Sequence, residues 1–119
     1  MSEAEAKVEK ADKVLVPRPA ATVTLVRDAP EGFEVLMVQR NHQSIFMPGV
    51  QVFPGGAVDK SDSAADYTSL VVDMKDAEAS RILGIAGGGM AYWIAAAREA
   101  FEEAGMLFAC EAKIGRAHV

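Results

Sequence analysis

Arg98-Glu99-Ala100-Phe101-Glu102-Glu103-Ala104-Gly105-Met106 is the stretch on which the reading of this chain turns. Laid on a helix at about 100° per residue, it joins Ile94, Ala97, Phe101 and Ala104 into one apolar face. Glu99, Glu102 and Glu103 cluster on the opposite face, and Ala95 lies between, leaving open space beside the carboxylates. Glu99 stands i,i+3 from Glu102 and i,i+4 from Glu103, and like charges at such spacings cost roughly 0.2–0.5 kcal/mol each. All three also occupy the last turns of the helix, where the backbone dipole disfavours an anion by about 0.3–1 kcal/mol. Arg98 offsets only part of this. A divalent cation would reverse the sign of each of these terms. On the carboxylates alone, a solvated acidic face remains the simpler reading.

Working outward, the helix is expected over Met90–Ala104, with Gly105 ending it in the C′ position. Ala21–Arg27 (ATVTLVR) is rich in β-branched residues and reads as a strand. Asp28-Ala29-Pro30-Glu31-Gly32 is a turn cluster, and Phe33–Gln39 (FEVLMVQ) a second strand, paired antiparallel with the first. Arg40–Gly49 reads as a loop and Val50–Phe53 as a short third strand. That strand runs into Pro54-Gly55-Gly56, expected as a sharp turn where the backbone lies close to another group. Residues 57–89, with scattered Asp and Ser, a short helix near Ala77–Leu83 and the Gly87-Gly88-Gly89 run, read as an insertion or flap. Residues 1–19, charged and then punctuated by Pro17 and Pro19, read as a mobile arm.

Composition narrows the function. The 119 residues suit one small domain or a piece of a larger one, and half of them are apolar. Twelve Lys and Arg against seventeen Asp and Glu leave a net charge of −5. That balance argues against a nucleic-acid partner, which selects a basic face, and an acidic protein that handles phosphates needs a metal to mediate. The single cysteine, Cys110, has no internal disulfide partner and reads as a small buried apolar residue. Met1–Lys13 has no apolar core of a signal peptide. The longest uncharged stretch, Ile82–Ala97, is short for a bilayer and broken by the glycines, so no membrane span is expected. Asp59, Asp62 and Asp66 lack the central Gly and terminal Glu of a calcium loop. The glycine run is not followed by the Gly-Lys-Ser/Thr of a phosphate loop. His42 reads as a surface loop residue, and Tyr92 and Trp93 as core.

The Phe53-Pro54-Gly55-Gly56 turn and the Arg98–Met106 segment together resemble the two halves of the Nudix box, G-x5-E-x7-R-E-U-x-E-E-x-G-U, with U a bulky aliphatic residue. Ala100 is small for its U position. The Glu expected eight residues before Arg98 is replaced by Met90, and residues 57–89 separate the halves. The resemblance covers roughly residues 20–108. It implies a Nudix fold, an α/β/α sandwich around a mixed sheet, here truncated after the Nudix helix. It implies Mg²⁺ or Mn²⁺ on Glu99, Glu102 and Glu103. Glu99 or Glu103 would also assist the attacking water, and Arg98 would orient a glutamate. Gly55 would offer its carbonyl to the metal, and Arg40, Gly55 and Gly56 would contact the substrate. A soluble, intracellular protein is implied, cytoplasmic in a bacterial source and with organelles open to a eukaryotic one.

A second resemblance points to the substrate. Nudix enzymes that cleave coenzyme A carry a pattern close to L-L-T-x-R-S-x3-R-x3-G-x3-F-P-G-G. Here Leu36, Arg40, Gly49 and Phe53-Pro54-Gly55-Gly56 match, while Val38, Asn41 and Ile45 depart. One branch of coenzyme A diphosphatases also carries a long insertion inside the box. The resemblance therefore implies a metal-dependent hydrolase of the mitochondrial or peroxisomal coenzyme A diphosphatase type, acting on the diphosphate linkage of coenzyme A, acyl-coenzyme A or a related nucleotide. A Nudix-fold nucleotide-binding module without turnover, or an inactive fragment, is the alternative that the replaced glutamate leaves open. Domain organisation is expected as the arm 1–19, the N-terminal part of a Nudix domain over 20–110, and a terminal segment 111–119. Within the last, Ile114–Val119 reads like a translated sequencing-adapter stretch. A domain stopping there is expected to lack part of its sheet and pocket, to be poorly stable or inactive as it stands, and to expose aggregation-prone edges.

Overall fold

The computed structural model describes residues 14–40 and 49–110. The expectations for residues 1–13, for Asn41, His42 and Ile45, for the loop up to Pro48 and for 111–119 lie outside the described residues. Short strands come first in the chain: β1 Ala20–Thr22, β2 Val26–Ala29, β3 Gly32–Val35, β4 Val38–Gln39, β5 Gln51–Val52 and β6 Gly55–Ala57. A 3₁₀ turn at Lys60–Ser63 and three helices follow: α1 Ala65–Thr68, α2 Asp76–Leu83 and α3 Met90–Ala104.

All described pairings are antiparallel: β2 with β3, β1 with β6 and β4 with β5. The β2–β3 hairpin closes through Pro30-Glu31, with Ala29 opposite Gly32. Proline presets φ for a turn, and Gly32 takes φ 137°, where a side chain would be strained. The strand expected over 21–27 is divided between β1 and β2, because it changes partner. Val23 N–H donates to the Pro54 carbonyl at 2.9 Å, and two residues on the Leu25 carbonyl accepts from Leu36 N–H at 2.9 Å. Each backbone group must find a partner, and β6 supplies those of the first half while β3 supplies those of the second. The strand expected over 33–39 is likewise interrupted, at Leu36-Met37.

A larger correction concerns Gly55-Gly56. They do not form the expected turn; they are the first two residues of β6, with Gly55 opposite Thr22 and Gly56 opposite Ala21. The β1 backbone approaches so closely that a Cβ on Gly55 would stand 2.9 Å from Thr22 Cα.

Part of the segment 57–89 packs against α3. Ala79 of α2, with Met90 and Ile94 of α3, forms the buried cluster, and Val71, Met74 and Trp93 lie against it. Gly89 lets α3 begin directly against α2, since a Cβ there would stand 2.6 Å from Ser80 Cα and from the Ala79 carbonyl carbon. The start of α3 has no side-chain cap of its own. Instead α2 supplies acceptors: Asp76 Oδ1 and Oδ2 accept from Met90 N–H and Gly88 N–H, both at 3.0 Å, and Ser80 Oγ accepts from Gly89 N–H at 2.9 Å. These are donors that a helix start otherwise leaves unpaired. Backbone donation from Met90, then from Gly88, holds the Asp76 carboxyl below its ordinary range.

Helix α3 spans the expected residues and ends at Gly105 with φ 68°. Its Gly105 N–H donates to the Phe101 carbonyl at 2.9 Å, and Met106 N–H reaches the Ala100 carbonyl at 3.4 Å. The expected apolar face holds at Ile94, which is buried, and fails at Phe101, which is 53% exposed. Phe101 lies two turns beyond Ile94, roughly 10 Å along the axis, and no described element covers it. Ala95 does not leave open space: it and Ala100 are fully buried, small side chains that let β1 and β6 lie close to the helix. Among the described residues no helix is long and apolar enough to cross a membrane.

Candidate active site

The acidic end of α3 lies over β6, and the strand's glycines decide how two of its carboxylates sit. Gly56 faces Glu99 so closely that a Cβ would stand 2.6 Å from Glu99 Cδ. Gly55 N–H donates to the Glu103 carboxylate, and Glu99 and Glu103 are within hydrogen-bond reach of each other. Glu103 is exposed as a residue, but its carboxyl end is desolvated. That desolvation, then the Glu99 charge, raises its pKa above the ordinary 4.5, against the lowering pull of Gly55 N–H and of the Arg40 charge.

Arg98 organises the rest. Its Nη1 donates to Glu99 Oε1 at 3.0 Å and to Glu102 Oε2 at 3.2 Å. Its Nη2 donates to the Ala57 carbonyl at 3.0 Å, at the end of β6. Its Nε and Nη2 form a fork on Asp62 Oδ1 and Oδ2 at 2.8 and 3.0 Å. Arg98 is thus bonded to two glutamates and ties α3 to β6 and to the 3₁₀ turn. Glu102 is turned to Arg98 and its side chain is 55% exposed. Among the described residues no three His, Cys, Asp or Glu side chains converge on one point. The structure thus sets Glu99 beside Glu103, and joins Glu102 to Glu99 through their shared donor, Arg98 Nη1.

Asp62 is the residue that sequence reasoning missed. Its side chain is fully buried, and its Oδ2 also accepts from Asp59 N–H at 2.7 Å in a capping box. Burial alone would raise its pKa, but the Arg98 guanidinium and the Asp59 amide hold it below the usual carboxylate range. The signal was present. Counted forward from Gly56, the G-x5-E spacing lands on Asp62. The position eight residues before Arg98 is Met90 only because the long insertion lies between Asp62 and Arg98. The insertion follows the acidic position, and the fold returns Asp62 to Arg98.

A cleft of about 420 Å³ opens beside Gly55 and Gly56, lined also by Met37, Arg40, Gln51 and Phe53. It offers one guanidinium, apolar walls and the glycine backbone next to the carboxylate pair. A separate, more apolar pocket of about 290 Å³ lies between the β2–β3 hairpin and Met106 and Phe108. It shares no lining residue with the cleft.

A glycine-bearing strand facing the acidic end of a helix that reads R-E-x-x-E-E-x-G defines a Nudix domain. The chain belongs to the NUDT19 Nudix domain family, whose model matches residues 8–87. It is 33% identical over 115 residues to the acyl-coenzyme A diphosphatase NUDT19 of Homo sapiens, an alignment covering 76% of this chain and 30% of that protein. The protein of the same name from Xenopus laevis is 33% identical over 95 residues, covering 63% of this chain and 25% of the relative. A crystal structure of a NUDIX hydrolase from Alicyclobacillus acidocaldarius superposes with a TM-score of 0.56 at 34% identity, covering 76% of this chain and 38% of that one. The chain thus spans about a third or less of the length of these curated relatives.

Proposed function

We propose that the protein carrying this sequence hydrolyses the diphosphate linkage of a nucleoside diphosphate derivative, with coenzyme A or acyl-coenzyme A as substrate and Mg²⁺ or Mn²⁺ as cofactor. The observation that carries this reading is the Glu99–Glu103 pair seated on β6, two carboxylates close enough to disfavour each other's charge. Such a pair fits Mg²⁺, which takes one or two carboxylates and completes its shell with water and substrate phosphate oxygens. When bound, the cation supplies charge neutralisation at the diphosphate and lowers the pKa of water.

The chain's own residues do the rest. Glu99, Glu102 and Glu103 would hold the cation, and Glu99 or Glu103 would take the proton of the attacking water. Arg98 keeps Glu99 in one orientation through a charge-assisted hydrogen bond. Arg40 meets a phosphate oxygen, and Gly55 and Gly56 allow the substrate backbone-close access from the cleft. Met37, Val52 and Phe53 give its non-reacting part an apolar wall. Attack at phosphorus asks mainly for such positioning and charge stabilisation. Similarity to proteins named acyl-coenzyme A diphosphatase supports the choice of substrate. An acidic residue at the G-x5-E count from Gly56, Asp62, supports turnover over the non-hydrolytic alternative.

The test is release of phosphate-containing product from coenzyme A, ADP-ribose and NADH by the full-length protein, with and without Mg²⁺. Coenzyme A is expected to turn over fastest and only with the metal. Turnover without any divalent ion would overturn the reading.

A further inference from the structure

We propose that Gly56 is a positioning residue, whose bare Cα leaves the space in which the Glu99 carboxylate is seated beside Glu103. The inference rests on the metal-binding reading above and assigns Gly56 a role other than substrate contact. A Cβ at Gly56 would stand 2.6 Å from Glu99 Cδ and 3.0 Å from Oε2. Cβ atoms do not approach carboxylate atoms that closely, so one of the two must move. Glu99 is the end that gives, being a flexible side chain facing a strand. Its freedom is small: its side chain is only 15% exposed, and Arg98 Nη1 holds Oε1 at 3.0 Å. Arg98 is itself fixed by Asp62 and the Ala57 carbonyl. A side chain at position 56 therefore pushes the carboxylate off its place without a large cost to the fold. Gly56 has no positive φ, so alanine fits the strand backbone there.

Gly55 is the contrast. A Cβ there meets β1 backbone, with Thr22 Cα at 2.9 Å, and backbone does not yield. The two neighbouring glycines thus have different work: Gly55 lets the strands pair, and Gly56 seats a glutamate.

The experiment measures Mn²⁺ binding by calorimetry and thermal unfolding of the full-length protein as wild type, G56A, E99D and G56A/E99D. We expect G56A to weaken Mn²⁺ roughly 10–100-fold, the range for losing a group that orients a metal ligand, with little change in Tm. Aspartate at 99 is one methylene shorter and clears a Cβ, so G56A added to E99D is expected to weaken binding little further. Wild-type affinity in G56A overturns the proposal, as does an equal loss from G56A in both backgrounds, or unfolding in both. A wild-type protein that binds no Mn²⁺ overturns the metal reading as well, which separates the two failures.

Discussion

Asp62 and Arg98 stand thirty-six residues apart and are joined by a two-pronged fork, Nε to Oδ1 at 2.8 Å and Nη2 to Oδ2 at 3.0 Å. The carboxylate is fully buried and the guanidinium is 20% exposed. Asp62→Ala removes the buried carboxylate and leaves Arg98 with Glu99, Glu102 and the Ala57 carbonyl, so it is expected to lower unfolding free energy in urea titrations by about 1.5–3 kcal/mol, the worth of hydrogen bonds to a charged group. Arg98→Lys keeps the charge but loses the fork, and is expected to fall between wild type and Asp62→Ala. A wild-type urea midpoint in Asp62→Ala would show that the pair does not brace the fold.

Glu103 faces Glu99 at the end of a helix that repels both. Glu103→Gln is expected to leave the fold as stable or more so, because it removes a like charge from an i,i+4 pair. Its Mg²⁺-dependent kcat is expected to fall by roughly 10²–10⁴-fold, the usual worth of a positioned proton acceptor. Product release from coenzyme A measures this, and full activity in Glu103→Gln would remove the residue from the mechanism.

Two carboxylates give the acid side of the stability curve opposite slopes. Asp76 is held below its ordinary 3.8 by Met90 N–H and then Gly88 N–H. Its contribution is therefore present above that value and lost as pH falls through its lower folded value. Glu103 is raised above 4.5 by desolvation and then by Glu99, so its ionised form is disfavoured in the fold. That penalty is absent at acid pH and grows as pH rises through the raised value. Asp76→Asn is expected to flatten the loss of stability below about pH 4 in thermal melts. Glu103→Gln is expected to relieve the opposing penalty near neutrality. Unchanged profiles in both variants would count against these assignments.

Gly89 sits where α3 starts against the α2 backbone. Gly89→Ala forces a Cβ to within 2.6 Å of Ala79 and Ser80 backbone atoms. Overpacking of this kind costs about 1–3 kcal/mol. Tm is expected to drop accordingly, with weaker amide protection at Gly88 and Met90, whose N–H groups are capped by Asp76. An unshifted Tm would show that α2 can slide away from α3.

Sequence alone determined the local features. Apolar periodicity and Gly105 set the helix over 90–104, Pro30 and Gly32 set the hairpin turn, and the crowded glutamates marked the chemistry, because each depends on neighbours within a turn or two. Tertiary structure decided what depends on distant partners. Gly55-Gly56 became strand because β1 lay close enough to pair with them, and Ala79 became core, with Val71 and Met74 against it, because α3 packed there. Asp62 became the partner of Arg98 because the fold closed a long insertion between them. Phe101 stayed exposed although its phase on the helix is apolar. Periodicity tells which side chains share a face, and only packing tells what, if anything, lies against it.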